Sequence, residues 1–190
     1  MDALEALHNR VSIGALTDPA PSRAQRNNIF RAALRAADHG NLRPWRFLVI
    51  EGDARKRLGE IYLSASESGA TAGEPLSDAQ RERFLAMPLR APLLLVAVTR
   101  LQEHPKVPLN EQRMSTAGAV QAMLTAAFAE GVGAYWRTGE LAENRQVARA
   151  LGLADNEEIS GFIYMGTPQK APRPAPELAV SDFFADWQGE

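Results

Sequence analysis

Six consecutive apolar residues, Leu93-Leu94-Leu95-Val96-Ala97-Val98, constrain the fold of this chain more than any other feature. Successive side chains of a β-strand point to opposite faces, so a run without polar alternation needs both faces covered. The sheet that contains it is expected to lie between two layers of helices, which the rest of the chain must supply.

Helical segments flank the run on both sides in sequence. Asp2 can cap a short helix in which Leu4 and Leu7 share a face, ending near Asn9, and a proline-punctuated loop follows from Gly14 to Pro21. Ser22 with Gln25 makes a capping box, and Phe30, Ala33, Leu34 and Ala37 recur at helical spacing, which puts Arg35 in that helix's last turn. Asp38-His39-Gly40-Asn41 ends the helix, Pro44 forbids its renewal, and Arg46 to Ile50 is a strand-type run. Asp53 is expected to cap a helix carrying Leu58 and Ile61, before a Ser/Gly/Ala-rich connection from Ser64 to Pro75. Ser77 with Gln80 is a second capping box.

Beyond Pro105 and Pro108, the most apolar stretch runs from Met114 to Trp136. It is mainly alanine and contains Gln121 and Glu130, so it reads as a buried helix closed by Gly131, followed by a strand at Ala134 to Arg137, and not as a membrane span. A helix from about Asn144 to Leu151 and a core strand from Ile159 to Met165 complete the pattern. The proline-rich tail ends in Phe183, Phe184 and Trp187, which are expected to pack on a partner subunit or on the chain's own core.

With 190 residues, one domain spanning 1–190 is expected. The absence of cysteine excludes disulfides, thiolate catalysis and thiolate metal sites. Three scattered histidines, His8, His39 and His104, give no metal or Ser-His site. A net charge of -2 with interspersed signs advertises neither nucleic acid nor an anionic membrane as partner. The acidic start Met1-Asp2-Ala3-Leu4-Glu5 lacks the pattern of an export signal, and a cytoplasmic protein is expected. Asp2, Glu5 and the pair Glu157-Glu158 read as caps or solvated faces.

Three segments can carry chemistry. In Arg10-Val11-Ser12, a forked guanidinium and a hydroxyl two residues away suit one anion; the alternative is a solvated arginine in a loop. The stretch from Arg35 to Phe47 concentrates cations, imidazole and amide donors between a helix and a core strand, although Arg35, His39 and Arg43 taken singly also fit helix-end charges. Gly131 to Gly139 is glycine-rich but follows a helix and precedes a strand, the reverse of a dinucleotide fingerprint. At its end, Trp136, Arg137 and Thr138 offer a flat wall, a cation and a hydroxyl, or form an ordinary strand terminus.

In this order and spacing the segments resemble the nitroreductase family, and most closely its minimal-length NAD(P)H nitroreductases. The marks are Arg10-Val11-Ser12, the Asn-x-x-Pro-Trp-x-Phe run from Asn41 to Phe47, the Ala/Gly-rich helix after Lys106-Val107-Pro108, Gly133 to Thr138, and Gly161 to Pro168. The resemblance implies an α+β nitroreductase-like fold, a central mixed sheet flanked by helices, and an intertwined homodimer with two FMN sites built by both subunits. It implies FMN contacts from Arg10, Val11 (backbone at most), Ser12, Trp136, Arg137 and Thr138 of one subunit, with Arg35 and His39 from the other. It places the nicotinamide nucleotide along Ala126, Ala127, Phe128, Ala129, Glu130 and Gly131, with NAD(P)H as electron donor.

Val11 stands where a second arginine is frequent, Ala37 where a proline is usual, and Arg43 where glutamine often precedes Pro-Trp. An extra cation at Arg43 is expected to raise the flavin potential and to select acidic substrates. The expected activity is reduction of nitroaromatics, quinones or similar small-molecule acceptors by a ping-pong mechanism in which no side chain acts as nucleophile. The alternative is a flavin storage or sensing protein without turnover. A nucleic-acid module, suggested only by the arginines from Arg23 to Arg46, lacks a basic face.

Overall fold

The structure, a computed structural model, describes residues 1–69 and 75–189. Capping fixes where its first helices begin. Asp2 accepts from the Leu4 amide and starts α1 (Ala3–Asn9), and Ser22 and Gln25 form the reciprocal capping box of α2 (Arg23–Ala33). Between them Leu16–Thr17 forms a two-residue strand, β1, inside the segment expected to be loop. Arg35 falls just beyond α2 rather than in its last turn.

The strand β2 (Trp45–Glu51) leads into α3 (Ala54–Gly69), which continues through the stretch expected to be a connection as far as Gly69. Burial of Tyr62 and Ala65 against the core overrides the weak helix preference of the Ser-rich sequence there. The rest of that expected connection includes residues 70–74, outside the described residues. The second capping box starts α4 (Asp78–Ala86), and β3 (Leu93–Arg100) follows. Beyond it lie α5 (Leu109–Ala129), β4 (Gly133–Arg137), α6 (Glu140–Glu143), α7 (Arg145–Ala150) and β5 (Glu157–Pro168).

The order across the sheet is β2-β3-β5, with β4 and β1 sharing the far side of β5. The expected class, helices on a central sheet, is present, but every strand pair among the described residues is antiparallel, not mixed. No helix-bearing parallel crossover is needed, because each neighbouring strand returns in the opposite direction.

The fully apolar β3 behaves as its sequence demands. Leu94, Val96 and Val98 pack with Leu58 and Tyr62 of α3, Val147 of α7 and Phe162. Leu93, Leu95 and Ala97 face Ile29 of α2, Val120 and Met123 of α5, and Ile163. Two cores thus lie on opposite faces of one sheet.

The helix α5 was expected to be buried; Ala119, Val120, Met123 and Ala127 are, but Met114, Gly118 and Gln121 lie open on its other face. No helix is long and apolar enough to cross a membrane among the described residues.

Glu157, expected as a cap or on a solvated face, is neither. Only 4% exposed, it accepts from Arg46 Nε and Nη2 at 2.7 and 2.6 Å, from Arg100 Nε at 3.2 Å and from the Ala154 amide. The Arg46 hydrogen bonds above all hold its carboxyl down at about 2, against the desolvation that would raise it. Glu158 is held by the Arg113 guanidinium.

Candidate functional site

The edge of β4 gathers the first group of expected site residues. α1 ends at Asn9, and the chain turns so that the Ile13 amide donates to the Ala134 carbonyl at 2.9 Å. Arg10, Val11 and Ser12 are thereby delivered beside β4, the strand that carries Trp136 and Arg137. Arg10 and Val11 are partly buried and Ser12 is exposed.

Trp136 and Arg137 are neighbours, so their side chains leave the strand on opposite faces. The indole of Trp136 packs with the α5-side core and donates to the Ser160 carbonyl at 3.1 Å. It fits because Gly161 lies beneath it at φ +142°, where a Cβ would sit 2.1 Å from the indole nitrogen. An irregularity in the β3–β5 register at this point opens the sheet locally.

Arg137 turns to the other face. Its guanidinium lies 5.5 Å from the centre of the Tyr135 ring and 5.9 Å from that of Tyr164, within cation–π range. Arg137 and Thr138 open on a cavity of about 420 Å³ between the sheet and α4, walled by Phe84, Met87, Leu141 and Phe162. Arg83, Glu140, Tyr62 and Tyr164 supply its polar groups. A cavity of about 260 Å³, lined by Gly14, Arg90, Tyr135, Arg137 and Tyr164, shares Arg137 and Tyr164 with it.

Tyr62 meets Phe162 edge to face at 5.3 Å and is 1% exposed, yet its hydroxyl has no hydrogen-bond partner among the described residues. Burial pushes its phenol well above the usual range and raises Tyr164 in the same way, with Arg137 pulling Tyr164 back down. Both remain protonated donors at neutral pH.

Arg35 and His39 occupy a different surface. Arg35 is exposed after α2. His39 lies on a 3-10 turn, His39–Asn41, and its Nδ1 is 2.7 Å from Glu111 in the first turn of α5. An ionised carboxylate only accepts, so Nδ1 carries the proton and donates. Asp38 braces the turn by accepting from the Arg43 amide at 2.8 Å, while Gly40, Asn41 and Arg43 all adopt positive φ. Arg43 is exposed there and lines neither cavity.

The segment Ala126 to Gly131 forms the end of α5 and its cap, before β4 begins and away from the Thr138 end. The carbonyls of Ala126, Ala127 and Phe128 accept from Glu130, Val132 and Gly131. Glu130 is gripped by α2, its carbonyl by Gln25 at 3.0 Å and its carboxylate by Asn28 at 2.7 Å; Ala129 is exposed. Among the described residues, no cluster of His, Cys, Asp or Glu has the arrangement of a metal site.

Sequence reasoning missed Tyr62, Arg83, Arg90 and Tyr164. The available signal was a tyrosine within each apolar pattern, since a buried phenol asks for a partner.

Residues 7–167 match the model of the nitroreductase family. The chain belongs to the nitroreductase family. Among its relatives, the YdjA protein of Escherichia coli strain K12, provisionally named an NAD(P)H nitroreductase, is 44% identical over 169 residues, covering 89% of this chain and 90% of its own. A Haemophilus influenzae nitroreductase with a name of the same provisional kind is 31% identical over 185 residues, covering 96% and 98%. The fold is shared with a nitroreductase-like family protein from Bacillus cereus, at a TM-score of 0.82 and 21% identity, covering 100% of this chain and 97% of that one. A nitroreductase with bound FMN from Bacteroides fragilis superposes at a TM-score of 0.71 and 19% identity, covering 99% and 100%.

Proposed function

We propose that this nitroreductase is a single-domain homodimer that binds FMN on the outer edge of β4 and uses NAD(P)H to reduce small nitroaromatic, quinone or related acceptors. The observation that carries the reading is the Ile13–Ala134 hydrogen bond, which brings the Arg10–Ser12 donors to the strand whose end opens on the cavity. The donor set fits a flavin phosphate and ribityl chain. Arg10 supplies a forked cation and Ser12 an exposed hydroxyl, while Trp136, like Ala134, turns its backbone to the outer edge and Thr138 adds its side chain. Bound there, FMN supplies the two-electron transfer between nicotinamide and acceptor.

Arg35 and His39 reach that site from a second copy. In support, Leu4 and Leu7 of α1, Leu34 after α2 and Met114 of α5 are 58–62% exposed on three elements packed together. Such apolar exposure marks a contact surface. Nicotinamide and acceptor take turns, because a cavity of about 420 Å³ suits one such molecule at a time. The carbonyls of Ala126, Ala127 and Phe128 are taken up within the cap, so the nicotinamide nucleotide lies along the exposed outer side of that turn, at Ala129 and Gly131.

The test is the visible spectrum of the purified protein, followed by anaerobic addition of NADH or NADPH. Yellow protein that bleaches supports the reductase; yellow protein that does not bleach is a flavin carrier. Colourless, monomeric protein that ignores added FMN refutes the assignment.

A further inference from the structure

The two cavities meet at Arg137 and Tyr164, beside a buried donor that the fold leaves without a partner. The hydroxyl of buried Tyr62 has no hydrogen-bond partner among the described residues, and Tyr164 and Arg137 line the same cavity beside it. Leaving one buried donor unsatisfied costs roughly 1–3 kcal/mol, so a native fold that keeps the Tyr62 hydroxyl bare against a cavity is organised around something that accepts from it.

The charges at this corner have one dominant sign. Arg137 and Arg90 line the smaller cavity with no carboxylate beside them. In the larger one the guanidinium groups of Arg83 and Arg137 outnumber the single carboxylate at the lining, Glu140. Burial keeps both phenols protonated. An oxyanion is the partner such a set accepts: it takes hydrogen bonds from phenols and from a guanidinium and gives none. Phe84, Met87, Leu141 and Phe162 wall the adjoining space with flat and flexible apolar surface, the lining that a ring requires.

We propose that Arg137, Tyr62 and Tyr164, with Arg90 behind them, form the recognition site for the acid group of the electron acceptor. The acceptor class is then an aromatic carboxylate or sulfonate that carries the reducible nitro or quinone function, its ring lying between Phe84 and Phe162. This rests on the reductase reading above and narrows it. It also relocates the selection of acidic substrates expected of Arg43, which lines neither cavity.

The FMN-loaded protein is assayed with 4-nitrobenzoate and nitrobenzene as acceptors, in the native form and as Tyr62→Phe and Arg90→Gln. Loss of one charge-assisted hydrogen bond corresponds to roughly tenfold. The native protein is expected to prefer 4-nitrobenzoate, and each variant to lower the ratio of kcat/KM for 4-nitrobenzoate over nitrobenzene by about tenfold. Benzoate, which cannot be reduced, gives a readout free of turnover: its Kd, from the perturbed flavin spectrum, rises by the same factor. A native enzyme without preference, or variants that slow both acceptors equally, overturns the proposal. Tenfold weaker FMN uptake by both variants, with benzoate binding unaltered, assigns the oxyanion to the cofactor's phosphate and also overturns it. Protein that takes up no flavin fails the reductase reading before any acceptor is added. Benzoate quenching of tryptophan fluorescence, weakened in Tyr62→Phe, then still decides whether the anion site exists.

Discussion

Replacing Glu157 by glutamine keeps the shape of the side chain and removes the charge that ties β2, β3 and β5 together. The carboxylate side chain is 5% exposed, so solvent screens it little, and its pKa is lowered from 4.5 to about 2. At about 1.36 kcal/mol for each pH unit, that displacement corresponds to roughly 3 kcal/mol of stability at pH 7. Because the folded value is depressed, the contribution is complete above pH 4.5 and is lost as the pH falls toward 2. At pH 3 about 1.5 kcal/mol remains. Urea unfolding of the native protein and Glu157→Gln, at one protein concentration and at pH 7 and pH 3, should therefore show a gap of about 3 kcal/mol that narrows to about half. The variant leaves Arg46, whose own pKa is raised chiefly by the hydrogen bond to Glu157, without a counter-charge. A gap that is the same at both pH values, or below about 1 kcal/mol at pH 7, refutes the linkage.

Three other outcomes follow from the geometry. Gly161→Ala drives a Cβ into the Trp136 indole and strains a backbone at φ +142°, and should cost about 2–5 kcal/mol and weaken FMN uptake together, read by thermal melts and flavin titration. Ser22→Ala removes the cap of α2 and should lower stability by about 1 kcal/mol in urea without altering the flavin spectrum. Met114→Glu changes a side chain 62% exposed in one chain, so it should leave helix content by circular dichroism unaltered while shifting light-scattering mass from dimer toward monomer; an unchanged mass removes α5 from the subunit contact.

Local chemistry was legible in the sequence. The caps at Asp2, Ser22 and Ser77 act within three residues, and β3 declared its two covered faces in a single run of residues. Contacts between distant residues were not. β1 exists because Leu16 and Thr17 meet Pro168 and Thr167, and nothing within Gly14–Pro21 announces those partners. Glu157 looked solvated because Arg46 and Arg100, which hold it, stand on other strands.

The candidate site divides along the same line. Arg10–Ser12 and Trp136–Thr138 were legible as segments, and the structure joins them at one strand edge. Which way each side chain turns was not, because the opposed directions of Trp136 and Arg137 follow from the strand itself. The cavity walls were hidden too, since Tyr62, Arg90 and Tyr164 come from three separate elements of the chain.

β3 is hydrogen-bonded along both edges and covered on both faces, whereas the 10–14 segment and the Thr138 corner hang on the rim of the sheet. In deuterated water the amides of Leu94 to Val98 should exchange only when the whole chain opens, and those of the rim through small local fluctuations. A ligand at that rim can enter and leave while the spine of the molecule stays shut.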